Sequence, residues 1–273
     1  MIYLVAEHKL SVRQSCRCVG LSRAAFYTSP QGRDSDAEVI DAINAMIDNH
    51  PRWGFWKTFK SLRRKGHGWN HKRVYRVYCT LKLNQKRRDK KRLPQRFKQP
   101  LLVPPAPNQV WSADFMSDML YTGKRFRTFN VIDDFNREAI HIEIDTSITG
   151  RRLIRVFERL RLERSLPDVL RVDNGPEFLS GEFVAWAESV GMMIQYIQPG
   201  KPNQNAYIER FNRTYRDELL DLYMFRDLGE VREATYWWMM EYNEQRPHDS
   251  LDDLTPMEYL SKNAGNSISQ LSA

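Results

Sequence analysis

Three carboxylates in the second half of the chain stand where an acid is out of place. Asp114 interrupts the apolar stretch VWSADFM, Asp173 ends DVLRVD, and Glu209 lies in the helical pattern NQNAYIERFNRTYRDE. A carboxylate inside an apolar strand is disfavoured unless a partner is supplied. Acids at two strand ends and on one helix can converge at one edge of a sheet, where they repel one another unless cations neutralise them. The hard cation suited to oxygen ligands and phosphate substrates is Mg²⁺. Two such ions about 3.5 to 4 Å apart activate an attacking oxygen and stabilise a leaving one in phosphodiester chemistry. Taken singly, each acid reads more readily as a solvated or turn residue. Asp133 and Asp134 also end an apolar run and read as turn residues. Joint spacing sets the three apart: Asp114 lies 59 positions before Asp173, and 35 residues separate Asp173 from Glu209.

The elements that must position these acids alternate between strand and helix patterns. Beyond Gln109, VWSADFM, RFRTFNVIDDF and REAIHIEID read as strands, the last two as a hairpin. GRRLIRVFERLRLER then reads as an amphipathic helix, DVLRVD as a strand, GEFVAWAESVG as a helix ending at Gly191, and MMIQYIQP as a strand. A longer helix is expected from about Asn203 through Leu220, and two more near Glu230 to Asn243 and Pro256 to Ser261. Strands followed by alternating helices and strands imply an α/β class, a mixed sheet flanked by helices. Asn174-Gly175 alone would signal a hairpin. A helix follows instead, so the turn ends a strand and leaves Asp173 at the sheet edge. Trp237 and Trp238 are expected in the core rather than as base-stacking groups. Tyr242-Asn243 and Arg246-Pro247-His248 mark a helix end and a turn.

The front of the chain reads as helical. Ser11 to Val19 forms a helix, Gly20 a turn, and Ser22 caps a second helix, a short helix-turn-helix outline. From Asp36 to Asn49, Ala37, Ile40, Ile43 and Ile47 recur at helical spacing. A helix near Phe55 to Lys65, a Gly66-His67-Gly68 turn, an Asn70 cap and a helix from His71 to about Leu83 follow. On that last helix Val74, Val77, Tyr78 and Leu81 can face a core while Lys72, Arg73 and Arg76 project outward. This basic face reads either as a DNA-contacting surface or as an ordinary charged exterior. Residues 82 to 109 pass from a basic run into a proline-bearing segment, the pattern of a linker able to track phosphates.

Charge divides the chain in the same place. The net charge of +8 is the sum of +16 over residues 1 to 100 and −8 over residues 101 to 273. A basic front half suits a polyanion, with a solvated basic surface as the alternative. At 41% hydrophobic and 12% aromatic residues the chain is expected to fold. The opening apolar run ends at Glu7 and no stretch approaches a membrane span, so a soluble, cytoplasmic protein with no membrane partner is expected. Cys16, Cys18 and Cys79 are too few for a disulfide framework and suit a reducing compartment. His67 and His71 have ligand spacing but lack the second half of a zinc site.

The spacing of the three acids resembles that of the Asp-Asp-Glu transposases and retroviral-type integrases. WSADFM, NVIDDFNRE, RVDNGPEF, YIQPGKPNQNAYIERFNRTYRDELL and YNEQRPHDSLDDLTPMEY are similar to the second-reading-frame product of bacterial insertion sequences that move by a copy-out, paste-in route. The resemblance covers nearly the whole chain, with RWGFWKTFKSLRRKGHGWNHKRVYRV similar to the helix-turn-helix segment before the catalytic core. It implies a ribonuclease H-like fold, a catalytic and metal-binding triad of Asp114, Asp173 and Glu209, and two Mg²⁺ ions with Mn²⁺ as a substitute. It implies cleavage at the element's ends and transfer of the freed 3′ hydroxyl to another phosphodiester, with a metal-dependent nuclease or a DNA-binding regulator as alternatives.

The implied organisation is a short helix-turn-helix-like segment at 1–30, a DNA-binding domain at 34–84, a basic linker at 85–104, an integrase-like core at 105–265 and a tail at 266–273. Arg216, seven residues after Glu209, matches a position where the family often has Lys and is expected to meet phosphate near the site. Lys201, close to the expected active-site edge, is a second candidate for DNA. Met116 departs from the pattern where Thr is frequent. The implied partners are element-end and target DNA, further copies of the chain and a protein from an upstream, frame-shifted reading frame. Retroviral-type integrases carry a zinc-binding His/Cys domain that has no counterpart here, which favours the bacterial branch.

Overall fold

The computed structural model describes residues 2–27, 36–84, 101, 103–198 and 202–270. Its N-terminal part is helical. After the short α1 (Ile2–Ala6), α2 (Val12–Cys18) begins at a reciprocal cap in which Ser11 and Gln14 each satisfy the other's backbone N–H. α3 (Arg23–Tyr27) begins at Ser22, whose hydroxyl accepts from the N–H of Ala25 at 3.1 Å. α4 (Ala37–Asn49), α5 (Phe55–Arg64) and α6 (His71–Thr80) then enclose a separate core of Val39, Ile43, Met46, Trp53, Leu62, Val74, Val77 and Tyr78. Asn70 caps α6 as expected, accepting from Lys72 N–H at 2.9 Å. The helix ends at Thr80 rather than near Leu83, because Lys82 takes a left-handed φ of 56° that no α-helix continues through.

The second half is built on a five-stranded sheet of order β3-β2-β1-β4-β5, from β1 (Val110–Met119), β2 (Arg125–Asp133), β3 (Ala139–Asp145), β4 (Val169–Val172) and β5 (Met193–Tyr196). β1–β2 and β2–β3 pair antiparallel, while β1–β4 and β4–β5 pair parallel. The central β1 runs three residues beyond the expected VWSADFM stretch, because its partner β2 supplies a ladder out to the Met119–Arg125 pair. Successive side chains on a strand point to opposite faces, and here the alternation divides two cores. Trp111, Ala113 and Phe115 face α7 (Gly150–Glu163) and α8 (Gly181–Ser189), where Phe157, Phe178 and Phe183 are wholly buried. Asp114 and Met116 face the other layer, α9 (Ala206–Tyr215) and α10 (Leu228–Glu244). α11 (Pro256–Gln270) follows, nine residues longer than its expected end at Ser261.

The helix expected from Asn203 through Leu220 is one path in three geometries. A 3₁₀ turn at Pro202–Asn205 leads into α9, and Arg216–Leu220 widens into a π-helical turn. The wider turn re-aims Leu219 and Leu220 into the α10-side core, a placement that 3.6-residue periodicity does not give. Asp133 and Asp134 turn the chain as expected, but fully buried. Asp133 accepts from the N–H groups of Asn108 and Phe135, and Asp134 pairs with Arg171 on β4. The expectation for Trp237 is corrected: Trp238 is buried, whereas Trp237 is 64% exposed, since adjacent helical positions lie about 100° apart.

The two halves meet through charge. Lys57 of α5 and Arg246 share the carboxylate of Glu218 at 3.0 and 2.8 Å. Lys60 reaches Asp249 at 2.8 Å and also Asp253, Arg64 pairs with Glu258, and His50 lies 3.1 Å from Glu241. Part of the front half's positive charge is thus spent within the chain, a third outcome beside polyanion binding and a solvated surface. In YNEQRPH, Asn243 joins α10 to the edge strand β3, accepting from Ala139 N–H at 2.8 Å and donating to Ala139 C=O at 3.0 Å. Replacing Asn243 with Ala orphans both backbone groups and is expected to cost roughly 2 to 4 kcal/mol. A lowered urea midpoint with an unchanged slope is the measurement that checks it.

Candidate active site

The central strand carries Asp114 into a half-buried position on the α9 face. Its Oδ1 accepts from the N–H of Phe115 at 2.8 Å and its Oδ2 from Nδ2 of Asn212 at 2.8 Å. Asn212 is itself fixed, because its Oδ1 accepts from Nδ2 of Asn130 at 2.7 Å. Asn130 is the residue directly opposite Asp114 on β2. A relay from β2 through α9 therefore sets the angle of the carboxylate.

Asp173 follows the last residue of β4. Its Oδ1 accepts from the N–H of Gly175 at 3.0 Å, the local bond by which Asp closes its own turn. Only glycine fits at 175 without displacing something: a Cβ there would stand 3.0 Å from Asp173 Oδ1 and 3.3 Å from Glu177 Oε2. Asn174 anchors the turn to the strand beside it, donating to Ile197 C=O at 3.2 Å. Glu209 occupies the exposed first turn of α9, where the helix dipole favours a negative charge.

Burial, joined by repulsion from Asp173 and Glu209, pushes the Asp114 carboxyl up to about 6 against the lowering donors Phe115 N–H and Asn212. Among the described residues no three His, Cys, Asp or Glu side chains are arranged to hold a metal ion. The three acids share one electrostatic environment without forming a preassembled cage. In donor chemistry, all oxygen with excess negative charge, they fit a hard divalent cation.

Two residues beside the acids escaped the sequence reading. Asn212 lies one helical turn after Glu209, and Asn130, a polar residue between Phe129 and Val131 in the run FNVI, was the available signal. Glu177, within the RVDNGPEF motif itself, is ion-paired with Arg127, whose guanidinium lies 4.3 Å above the Phe115 ring. Three of the basic candidates are engaged by other partners. Arg216 is held by Asp118 at 3.1 Å, Asp221 at 3.7 Å and the Ser117 carbonyl at 2.9 Å. Arg73 and Arg76 clasp Asp36 at the start of α4, at 3.1 and 2.7 Å, and Lys72 is exposed. Lys201 lies outside the described residues, as does most of the 85–104 linker.

A raised carboxylate pKa has a definite consequence for stability. The folded value of about 6 exceeds the ordinary 3.8, so the metal-free protein loses stability as pH rises between those two values. Asp114→Asn removes this penalty, whose ceiling is about 3 kcal/mol. Without divalent ions the variant is expected to melt higher than the wild type at pH 7 and nearly level with it at pH 4. Parallel melting curves across that range decide it.

Comparison with known proteins agrees with this architecture. Residues 104–202 and 190–256 match two families described as integrase core domain, and residues 34–92 match an HTH-like domain family. The chain is 39% identical over 254 residues to the uncharacterized 31.7 kDa protein of insertion element IS407 from Burkholderia multivorans, covering 93% of this chain and 91% of that one. It is 24% identical over 276 residues to transposase InsD of insertion element IS2 from Escherichia coli, covering 93% and 92%. A cryo-EM structure of a simian T-cell lymphotropic virus intasome with a PP2A regulatory subunit shares the fold at a TM-score of 0.50 and 16% identity, over 73% of this chain and 70% of that one. The sheet, the helix-turn-helix unit before it and the match along nearly its whole length place the chain in the family of insertion-element transposases with an integrase core.

Proposed function

We propose that the chain cleaves phosphodiesters at the ends of an insertion element and transfers the resulting 3′ hydroxyl to a second DNA site, with Asp114, Asp173 and Glu209 as its catalytic acids. One observation supports the assignment: Asp114, half-buried on the central strand, lies near enough to Asp173 and Glu209, far away in sequence, for their charges to add to the burial that raises it. Divalent cations, two Mg²⁺ with Mn²⁺ as a substitute, would be held by these carboxylates and would supply Lewis acidity to the attacking and leaving oxygens. The chain's own residues do the positioning. Asn212 and the Phe115 N–H orient Asp114, and the Gly175 N–H orients Asp173. Glu209 extends from the first turn of α9, on the same helix as Asn212, so a shift of that helix moves both together.

The N-terminal unit supplies DNA affinity through the exposed part of α6, with Lys72 on its surface, while Arg73 and Arg76 can exchange Asp36 for phosphate. Lys201 and Arg216 belong to the same reading as backbone contacts, Arg216 after release from Asp118. Joining two ends requires at least two protomers on DNA, with an upstream-frame protein as a further partner.

Asp173→Asn is expected to abolish nicking and joining while leaving DNA affinity within about twofold, since the basic unit is untouched. Cleavage and strand-transfer assays on an end-bearing duplex, read beside gel-shift binding, make the test; unchanged joining would sink the triad. Products joined covalently to a second DNA exclude the simple nuclease. Asn212→Ala leaves all three acids in place but removes a donor to Asp114, and is expected to lower cleavage about 10- to 100-fold by freeing that carboxylate. Restoration by Asn212→Gln would mark its role as positioning.

A further inference from the structure

A cleft of about 370 Å³ opens on the flank of α9 that bears Tyr207, Arg210 and Thr214, bounded by α5, by the turn between β2 and β3, and by the Arg246-Pro247-His248 segment. Its size lies in the range of small-ligand sites. Its lining is strongly cationic. Lys57 and Arg246 share the single carboxylate of Glu218, and Asp249 is engaged by Lys60. Arg137 and Arg210 form no ion pair among the described residues, although both line the cleft.

Two side chains there carry buried polar atoms without partners. Arg137 is 7% exposed, and its Nε and Nη1 are buried without a hydrogen bond. His248 is 8% exposed, and its Nε2 is likewise buried and unpartnered. Buried guanidinium donors left unpaired are costly, and most such groups in folded proteins are satisfied. Arg137 also adopts a φ of 62°, a left-handed conformation that is strained for a residue with a Cβ. Its guanidinium is stacked 3.4 Å from the centre of the Tyr207 ring, which fixes the plane of the fork. Uncompensated positive charge is felt throughout. Burial, with Arg246 and Lys57 beside it, holds His248 well below its ordinary value, and burial with Arg246 lowers Lys57 in spite of Glu218.

We propose that this cleft binds a phosphate oxyanion, with Arg137 and Arg210 as its principal donors and Lys57 and His248 at its wall. Unpaired planar donors beside an excess of cations match a tetrahedral anion, which takes two parallel N–H bonds from one guanidinium. The source is either a backbone phosphate of DNA lying between the N-terminal unit and the core, or a free phosphate group. The site is separate from the three acids and goes beyond the reading of the preceding subsection, because its binding requires neither metal nor cleavage.

The test titrates inorganic phosphate into the full chain without divalent ions, against sodium chloride at matched ionic strength, and follows melting temperature and calorimetric heat. Saturable binding is expected for the wild type, weakened about tenfold or more in R137M and in R210M. R226M, at an exposed arginine outside the cleft, should bind as the wild type does. Arg210 is exposed, so R210M serves where R137M fails to fold. A short DNA duplex measured on the same variants separates the sources. Weakening against both ligands assigns the cleft to backbone phosphate, and weakening against inorganic phosphate alone assigns it to a free anion. Phosphate binding that is absent from the wild type, or equal in the wild type and both cleft variants, overturns the site.

Discussion

A carboxylate set in the middle of a central strand must be supplied with donors, and much of this structure answers that demand. Asp114 faces the α9 layer because strand alternation sends Ala113 and Phe115 into the opposite core. The donor reaching it, Asn212, is held in turn by Asn130 from the neighbouring strand. The same helix that brings Asn212 carries Glu209 three positions earlier, so satisfying one acid places another nearby. Repulsion among the acids is tolerated because the scaffold around them is rigid: Phe129, Trp111 and Phe157 are wholly buried behind the strand. Burial of such side chains contributes about 1.5 to 3 kcal/mol each, ample to hold one carboxyl away from its preferred ionisation.

Charge also organises the chain at a longer range. The basic front and acidic back, which suggested a polyanion-binding unit joined to something different, are partly matched to each other. Lys57, Lys60 and Arg64 lie along one face of α5 at successive helical steps and meet Glu218, Asp249, Asp253 and Glu258 of the second half. Partly exposed pairs of this kind contribute little individually. The Lys57–Glu218–Arg246 group is more secluded, and it leaves one positive charge over. That surplus, beside an unpaired Arg137 and Arg210, gives the junction of the halves its own chemistry. A helix-turn-helix unit docked through its basic side presents α6 outward instead, with Trp56 and Tyr75 exposed beside it.

The family signature in YNEQRPH turns out to be architectural at most of its positions. Tyr242 is buried in the α10-side core, Asn243 imitates a neighbouring strand for Ala139, and Arg246 neutralises Glu218. His248, with an unpaired ring nitrogen, is the member that remains open to a ligand. The sequence reading took these residues for a helix end and a turn, which is their local geometry. Their polar work was hidden because each partner lies at least 28 residues away in the chain.

Much of the fold was legible from periodicity: all five strands, the mixed sheet and the caps at Ser22 and Asn70 follow from patterns that are local in the chain. The three acids were candidates from the sequence, because a charge inside an apolar strand is conspicuous and their spacing resembles that of a known family. What the sequence determined by itself was therefore the kind of sheet, with the three acids as candidates upon it. Tertiary structure decided which donors hold Asp114, which cations are spent on carboxylates and which are left over. Those outcomes depend on contacts between residues far apart in the chain, such as Asn130 with Asn212, 82 positions on, and Arg64 with Glu258, 194 positions on. Side-chain pairing of that range is set by how layers pack, and no period of 2 or 3.6 residues encodes it.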